Sequence, residues 1–357
     1  MNTTHWDSTP SSGCAIRRDE SPGSTSPATS ARRRALFIVG ALFAVSLASL
    51  AIALCVGSVT IPLADVVSAL FGAADNTSSE VVRSLRLPRA LSGFACGGLL
   101  ALAGALLQVL LRNPLADPYV LGISGGAGIG AMLAILFGFG AVSVNAGAFL
   151  GAFAAMLVVF GLARGDGSWT QTRLLLTGVI VAAGCGAGVA LMLSVAPDNR
   201  LRGMLFWLMG DLSQSGDPYL ALGVLAAVLV SAFPFARELN LLSRGDALAQ
   251  TLGVRVAFLR RGVYFTASLA TATAVTLAGS VGFVGLIVPH LIRLAAGNDQ
   301  RVLLPASALA GGSLLLIADT LARAVIAPQQ LPVGVLTALI GVPVFLFLLA
   351  RDARPKH

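Results

Sequence analysis

The sequence has little charge: only 11% of its 357 residues are Asp, Glu, Lys or Arg, whereas 56% are hydrophobic. Soluble globular chains carry about 25% charged residues, so this chain has too little polar surface to cover its apolar residues in water. The composition excludes a soluble single-domain enzyme and predicts that most of the chain lies in a bilayer.

Lysine is nearly absent, because Lys356 is the only lysine among 24 basic residues. A P-loop requires a lysine to hold nucleotide phosphates, so any ATP that drives transport must be hydrolysed by a separate subunit. The chain itself is predicted not to be an enzyme, because its apolar runs hold no cluster of His, Asp or Glu. The net charge of +8 does not indicate nucleic acid binding. The arginines are dispersed among apolar runs rather than gathered with aromatic residues.

Histidine and cysteine are also scarce. The three histidines lie far apart in the sequence, and the four cysteines show no C-x-x-C spacing. A metal site needs several such ligands close together, so we predict neither a metal site nor a cofactor.

Residues 1–34 are rich in Ser, Thr, Pro, Gly and Arg and hold hardly any large apolar residue, which predicts a disordered cytoplasmic tail. Three arginines at its end precede an apolar run at 35–56, which is either a twin-arginine signal peptide or a first membrane helix. A signal peptide has an apolar region of about 7 to 15 residues. The longer run here spans a bilayer core about 30 Å thick and favours the helix.

Ten apolar runs in all predict an all-α membrane protein of about ten transmembrane helices over residues 35–351, followed by a cytoplasmic tail at 352–357. The runs lie at 35–56, 90–111, 119–137, 142–163, 174–195, 219–235, 257–277, 283–296, 303–325 and 332–350. The run at 283–296 is short and contains Pro289, so it is predicted to be tilted or broken, in a place where protein covers the freed backbone groups.

Basic residues sort strongly by side if the N-terminus is placed inside. The cytoplasmic segments then hold 18 Arg and Lys residues and the external segments only six. This satisfies the positive-inside rule and predicts a multi-pass protein of the bacterial cell membrane with both termini in the cytoplasm.

Three shorter features add to hydropathy. The longest cytoplasmic connection holds an amphipathic segment at 240–254, which is either an interfacial helix resting on lipid or a docking element for a soluble partner. The glycine-rich stretch at 122–130 follows no strand and favours close helix packing over nucleotide binding. Asp319 lies alone inside a span, where the alternatives are a proton relay and, as the favoured explanation, pairing with a nearby polar group or with Arg323 at i+4.

Several long motifs, in one order along the chain, resemble the FecCD family of ABC importer permeases for ferric siderophores, haem and cobalamin. They are RLPRALSGFACGGLLALAGALLQVLLRNPLADPYVLGISGGAG (86–128), LNLLSRGDALAQTLGV (239–254), GFVGLIVPHLIR (282–293) and LPVGVLTALIGVPVFLFLL (331–349). The resemblance implies a type II importer fold in which two permeases form the pathway, two cytoplasmic ATPases drive it, and a substrate-binding protein docks outside.

The resemblance also implies roles for particular residues. Arginines of the RLPR segment and one after the ninth span, here Arg86, Arg89 and Arg323, are expected to meet acidic residues of the binding protein. The alternative is that they only anchor helix ends at the membrane interface. The amphipathic segment becomes the helix that couples to the ATPase, with Arg244, Gly245, Asp246, Ala247, Leu248, Leu252 and Gly253 as its matching residues. Thr170, Gln171 and Thr172 match the cytoplasmic gate.

Two positions depart from the family pattern. Arg244 replaces a leucine of the coupling segment, and Gln330 replaces a glutamate before the last span. The missing carboxylate is expected to leave Arg323 freer for an acidic partner or for solvent.

These features and the resemblance together predict the permease subunit of an ATP-driven importer, paired with a second permease as a homodimer or heterodimer. The cargo that the resemblance implies first is a ferric siderophore, with cobalamin and haem as the alternatives. The alternative is an ion- or proton-coupled secondary transporter. Such a transporter normally needs intramembrane carboxylates, of which only Asp319 is clearly available.

Overall fold

Helices form all the regular secondary structure of the described residues. The computed structural model describes residues 27–57, 59–72, 77–164, 170–213, 217–327 and 329–352, with side chains described from residue 33 to residue 350. The helices are α1 Pro27–Cys55, α2 Leu63–Leu70, α3 Thr77–Glu80, α4 Leu87–Leu110, α5 Ile123–Leu136, α6 Ala141–Leu162, α7 Gln171–Val195, α8 Asp198–Met209, α9 Pro218–Ala232, α10 Ala236–Ser243, α11 Asp246–Thr251, α12 Val256–Ala278, α13 Val284–Ala296, α14 Gln300–Ala324 and α15 Val333–Asp352. A π-helical turn, Val81–Arg86, precedes α4, and 3₁₀ turns occupy Pro118–Leu121 and Phe233–Phe235.

The first helix begins earlier than predicted. It starts at Pro27, so residues 27–34 of the segment predicted to be disordered are helical. Proline is favoured in the first turn of a helix, and Ala and Arg extend helices well. Residues 1–26 of the predicted N-terminal tail and residues 353–357 of the C-terminal tail lie outside the described residues.

Each of the ten predicted runs corresponds to one helix. Seven of the described helices are long and apolar enough to cross a membrane, and α5 and α13 are shorter apolar helices. The tenth, α12, has 23 residues. The run that contains Pro289 forms an unbroken helix of 13 residues, whose length of about 20 Å is less than the thickness of a bilayer core.

The ends of these helices gather at two opposite faces of the bundle. At one face Arg112 contacts Asp246 and Gln171, and we name this face the Arg112 end. At the other, Arg89 contacts Asp319, and we name it the Arg89 end. Arg112, Gln171 and Asp246 all lie in segments predicted to face the cytoplasm, and Arg89 lies in a segment predicted to face outside. Each end therefore gathers residues from one predicted side of the membrane.

The core of the bundle is built around α4, in whose most apolar window 89% of residues are buried. Glycines allow its backbone to approach its neighbours: a Cβ on Gly97 would overlap the carbonyl of Gly311 in α14. The glycines at 122–130 serve the same purpose. A Cβ on Gly126 or Gly130 would overlap the backbone of α6, which agrees with the close-packing interpretation.

The proline of α13 is accommodated by one of these close contacts. Pro289 has no N–H, so the carbonyl of Gly285, four residues earlier, lacks its helical donor. The backbone of α4 covers this carbonyl at Gly104, where a Cβ would overlap the Gly285 oxygen. Gln108 of α4 donates a hydrogen bond to the next carbonyl, that of Leu286, at 3.2 Å. The expectation that protein covers the freed backbone groups is therefore correct.

Candidate coupling and docking sites

Arg86 lies inside the protein rather than on its surface. Its side chain is only 6% exposed and donates hydrogen bonds to the carbonyls of Leu54 at 2.7 Å and Cys55 at 3.0 Å, and also to that of Val59. These carbonyls lie at and beyond the last turn of α1, where helical partners are missing. Arg86 therefore caps α1 from the π-helical turn.

Arg89 and Arg323 both pair with the buried carboxylate of Asp319, which is 1% exposed. Arg89 binds it in a fork, with Nη2 at 2.8 Å from Oδ1 and Nε at 3.0 Å from Oδ2. The Arg323 Nε lies 3.1 Å from Oδ2. The pairing expected between Asp319 and Arg323 is present, and a bidentate arginine pair holds the carboxylate in place.

We name Arg86, Arg89, Asp319 and Arg323 the Asp319 cluster. Its three guanidinium groups and single carboxylate leave a net charge of +2. Asp319 is buried, and arginine side chains already bind both of its carboxylate oxygens. The geometry thus speaks against the proton-relay interpretation of Asp319 and against the secondary transporter that would need it.

Gln330, where the family pattern has glutamate, contacts the cluster at one arginine. Its Oε1 accepts a hydrogen bond from Nη1 of Arg89 at 2.8 Å. The expectation that the missing carboxylate frees Arg323 is wrong, because Arg323 is 9% exposed and bound to Asp319. The carboxylate that both Arg89 and Arg323 bind is that of Asp319.

Beside the cluster, the Arg89 end holds a cavity of about 1050 Å³. Its lining includes the polar side chains of Asn145, Arg202, Asp211 and Gln330 and aromatic side chains such as that of Trp207. A mixed apolar lining with a few placed polar groups is typical of a site that receives a sizeable organic ligand.

At the opposite end, the coupling segment consists of two helices rather than the single one predicted. α10 and α11 are separated at Arg244 and Gly245, because Gly245 adopts a φ of +129°, a conformation that strains other residues. Ala249 is buried, whereas Leu248 and Leu252 are 44% and 57% exposed. Leu248 of α11 and Leu252, the residue after it, are therefore presented to the surface. Ala247 and Gly253 flank them.

Asp246, the first residue of α11, is fixed by two arginines. Its Oδ2 lies 2.5 Å from Nη2 of Arg260 in α12 and 3.5 Å from Nη2 of Arg112, which follows α4. Sequence analysis gave neither arginine a role, because Arg260 lies fourteen residues from Asp246 and no local spacing joins them. For Arg112 a signal existed: it is the one basic residue in the connection between the second and third runs.

Arg112 also contacts the start of α7, where the gate residues lie. Its Nη2 donates to Oε1 of Gln171 at 3.2 Å, and Gln171 Nε2 donates to the Leu110 carbonyl at 2.9 Å. Thr170 caps α7, its Oγ1 accepting from the backbone N–H of Arg173 at 3.3 Å. Thr172 is exposed. The structure thus joins α4, α7, α11 and α12 through Arg112, Gln171, Asp246 and Arg260, which we name the Arg112 network.

The turn after Arg112 is held by short side-chain to backbone bonds. Oδ1 of Asn113 accepts from the N–H of Leu115 at 2.9 Å, and Oδ1 of Asp117 accepts from that of Tyr119 at 2.7 Å. Burial raises the pKa of the Asp117 carboxyl, and the hydrogen bond from the Tyr119 N–H reduces this rise. This agrees with a rigid turn, so Arg112 is attached to a fixed support.

The described residues contain no group of three or more His, Cys, Asp and Glu side chains placed to bind a metal ion.

Comparison with known proteins gives matches over nearly the whole chain. The model of the FecCD transport family matches residues 41–351. A cobalamin import system permease protein from Halobacterium salinarum is 44% identical over 77% of this chain and 74% of its own length. A hemin transport system permease protein from Yersinia pestis is 40% identical over 76% of this chain and 84% of its own length.

A solved structure also resembles this chain. It is described as an inward-facing conformation of a metal-chelate type ABC transporter and matches with a TM-score of 0.76 at 30% identity. The match covers 88% of this chain and 99% of the other.

Proposed function

Because this chain belongs to the FecCD transport family, we propose that it is the membrane-spanning permease subunit of an ATP-driven importer and forms the translocation pathway with a second permease. The predicted family and the all-α, type II importer permease fold are confirmed. Permease subunits of ABC transporters are not enzymes themselves, so in this proposal separate cytoplasmic ATPase subunits hydrolyse the ATP. The observation that carries the proposal is the exposure of Leu248 and Leu252 on the segment that begins at Asp246, a residue of the Arg112 network.

The proposal places the Arg112 end and both termini in the cytoplasm. The segments on that side hold 18 basic residues, whereas the segments on the other side hold six, and this difference supports the orientation. A binding protein then meets the Arg89 end, outside the cell membrane.

The ATPase docks on Leu248 and Leu252, since exposed apolar side chains at the centre of a surface carry much of the energy of an interface. Arg112 contacts two side chains. One is Asp246, the first residue of α11, and the other is Gln171, which lies between the gate residues Thr170 and Thr172. A shift of α11 therefore changes contacts at the start of α7. ATP binding moves the permease pair between outward-open and inward-open states through these contacts, because a ligand shifts a two-state equilibrium by its different affinity for the two states.

A second permease packs against α7. Only 17% of the residues in its most apolar window are buried, and a Cβ on Gly184 or Gly186 would meet no atom within 4 Å. Small residues along an uncovered membrane helix favour close helix association. The partner is a second copy of this chain or a homologous permease.

The cargo that we propose is a ferric siderophore. Relatives named for cobalamin and hemin transport, and a structure named for metal chelates, support an organic metal chelate as the substrate class. The cavity of about 1050 Å³ at the Arg89 end is large enough to receive part of such a molecule. Uptake of radiolabelled ferric siderophore, haem and cobalamin by vesicles that hold the complete transporter tests this assignment, and uptake of cobalamin or haem alone would contradict it.

The variant Leu248→Glu is expected to reduce the amount of ATPase that co-purifies with the permease on the order of tenfold or more. A buried carboxylate at the centre of the docking face both removes apolar contact and costs desolvation. The measurement is the ratio of ATPase to permease after affinity purification from membranes that contain both.

Leu205→Glu provides the matched control, because Leu205 is 43% exposed in α8 and Leu248 is 44% exposed. It makes the same chemical change at the Arg89 end and should leave the ratio unchanged. If Leu248→Glu retained the full amount of ATPase, α11 would instead be an interfacial helix that rests on lipid.

The variant Gln330→Glu is expected to slow docking of the binding protein several-fold at low ionic strength. We propose that the net charge of +2 on the Asp319 cluster steers an acidic binding protein, although Arg86 and Arg323 are mostly buried. A glutamate at 330 adds one negative charge beside Arg89. Charges at the rim of an interface act mainly on the association rate.

Association rates measured on reconstituted permease at low salt and near 1 M salt test this expectation. The difference should nearly vanish at 1 M, where the Debye length is about 3 Å. Gln250→Glu, exposed in α11 at the opposite end, changes the total charge equally and should leave docking unaffected. Equal rates for Gln330→Glu and the unmodified chain at low salt would contradict electrostatic steering by the cluster.

A further inference from the structure

A basic cavity of about 270 Å³ opens at the Arg112 end, between the end of α6 and the start of α12. Arg164, Arg260 and Arg261 line it, and Asp246 is the acidic residue of the described lining. The lining therefore carries a net charge of +2. Since Arg112 also binds Asp246 at 3.5 Å, that carboxylate is already shared between two arginines.

The wall of the cavity is rigid. The Phe160 ring packs against the rings of Tyr264 and Phe265, with centroids 5.8 Å and 4.9 Å away. The Tyr264 hydroxyl donates to the Met156 carbonyl at 2.8 Å, which fixes α12 to α6. Arg164 lies over the Phe160 ring at 5.6 Å. One guanidinium of the site is thus positioned in advance by a cation–π contact.

The cavity lies at the level where apolar helices end. α6, a candidate membrane span, ends at Leu162, and α12 begins at Val256. Phe160, Val256 and Ala257 give the same cavity an apolar side. A bilayer places lipid headgroups just beyond its hydrocarbon core, so this position combines access to headgroups with access to the upper part of acyl chains.

From this combination we propose that the cavity binds the headgroup of an anionic phospholipid. The phosphate is held by Arg164 and Arg261, with Arg260 fixed behind them by Asp246, and the acyl chains leave past Phe160 and Ala257. Basic pockets between membrane helices bind anionic headgroups through this chemistry. The site goes beyond the pathway and the docking surfaces, and it places a lipid beside the Arg112 network.

The test is a titration of the purified permease, in neutral detergent, with dioctanoyl phosphatidylglycerol, dioctanoyl phosphatidylcholine and inorganic phosphate, read by native mass spectrometry. Phosphatidylglycerol should bind saturably and raise the thermal midpoint of the permease, while phosphatidylcholine and phosphate should bind much more weakly. The double variant Arg164→Gln with Arg261→Gln should weaken phosphatidylglycerol binding about 30-fold, because each arginine near an anionic headgroup contributes a factor of about five.

The matched control is the double variant Arg237→Gln with Arg255→Gln. Arg255 also lies over an aromatic ring, that of Phe258 at 5.4 Å, but both arginines line a different cavity at the same end. This variant should retain the affinity for phosphatidylglycerol. Equal losses in the two double variants would overturn the site in favour of nonspecific charge attraction.

Two other outcomes would also overturn the proposal. Binding of inorganic phosphate as tight as that of phosphatidylglycerol would assign the cavity to a free anion. Unchanged lipid affinity in the Arg164 and Arg261 variant, together with lost co-purification of the ATPase, would assign these arginines to the protein partner. Lipid binding and co-purification of the ATPase are both measured without transport. If the lipid site is wrong, the assignment of the chain as a permease is therefore unaffected.

Discussion

Replacing Asp319 with asparagine should lower the free energy of unfolding by about 3 to 5 kcal/mol, because the change removes the counter-charge of one buried and one partly buried arginine, whose side chains are 10% and 14% exposed. Asp319 is 1% exposed, and it accepts from both Arg89 and Arg323. Asparagine keeps the shape of the side chain but presents an amide in place of a carboxylate. The expected observation is a clearly lower thermal midpoint of the purified permease in detergent.

A second variant separates charge from packing. If Arg323 is also changed to glutamine, one unpaired cation is removed, so the double variant should recover part of the stability lost by Asp319→Asn. Asp198→Asn provides the control, since Asp198 is exposed in α8 at the same end of the bundle and should alter the midpoint little. An Asp319→Asn permease as stable as the unmodified chain would show that the cluster is hydrated and that its arginines are available to a partner.

The Asp319 cluster also shows what a sequence can predict about a membrane protein and what it cannot. The i, i+4 spacing of Asp319 and Arg323 on one helix made Arg323 one of the predicted partners of Asp319, and the two side chains are in contact. The second partner, Arg89, lies 230 residues away, so only packing of α4 against α14 brings it there. Topology placed Arg86 on the external side, but its burial follows from carbonyls at the end of α1 that need donors. No single-helix pattern carries that information.

The coupling segment gives the same lesson at the other end. The spacing of its leucines predicted an amphipathic helix, and α10 and α11 do bury Leu239, Leu242 and Ala249. The break between them depends on the positive φ of Gly245, and Asp246, the next residue, contacts Arg112 and Arg260 of two distant segments. Hydropathy, in contrast, located each of the ten runs, because the bilayer fixes both the length and the composition of a helix that crosses it.

The glycine at position 104 should tolerate no side chain, so Gly104→Ala is expected to prevent accumulation of folded permease or to lower its thermal midpoint strongly. An alanine Cβ would overlap the carbonyl oxygen of Gly285, and that oxygen belongs to backbone rather than to a side chain that can rotate away. α13 would have to move off α4. The displacement would also uncover the carbonyl that Pro289 leaves without a helical donor, in a region where water cannot replace it.

Overpacking of a core costs typically about 1 to 3 kcal/mol, and exposing an unpaired backbone carbonyl to hydrocarbon adds to that cost. Gly223→Ala in α9 and Gly262→Ala in α12 make the same substitution at helical positions with no atom within 4 Å. Alanine is the better helix former, so these variants should match or slightly exceed the unmodified chain in stability. The measurements are the size-exclusion profile and the thermal midpoint. A Gly104→Ala permease that behaves like the two controls would mean that α13 does not lie against α4 at this contact.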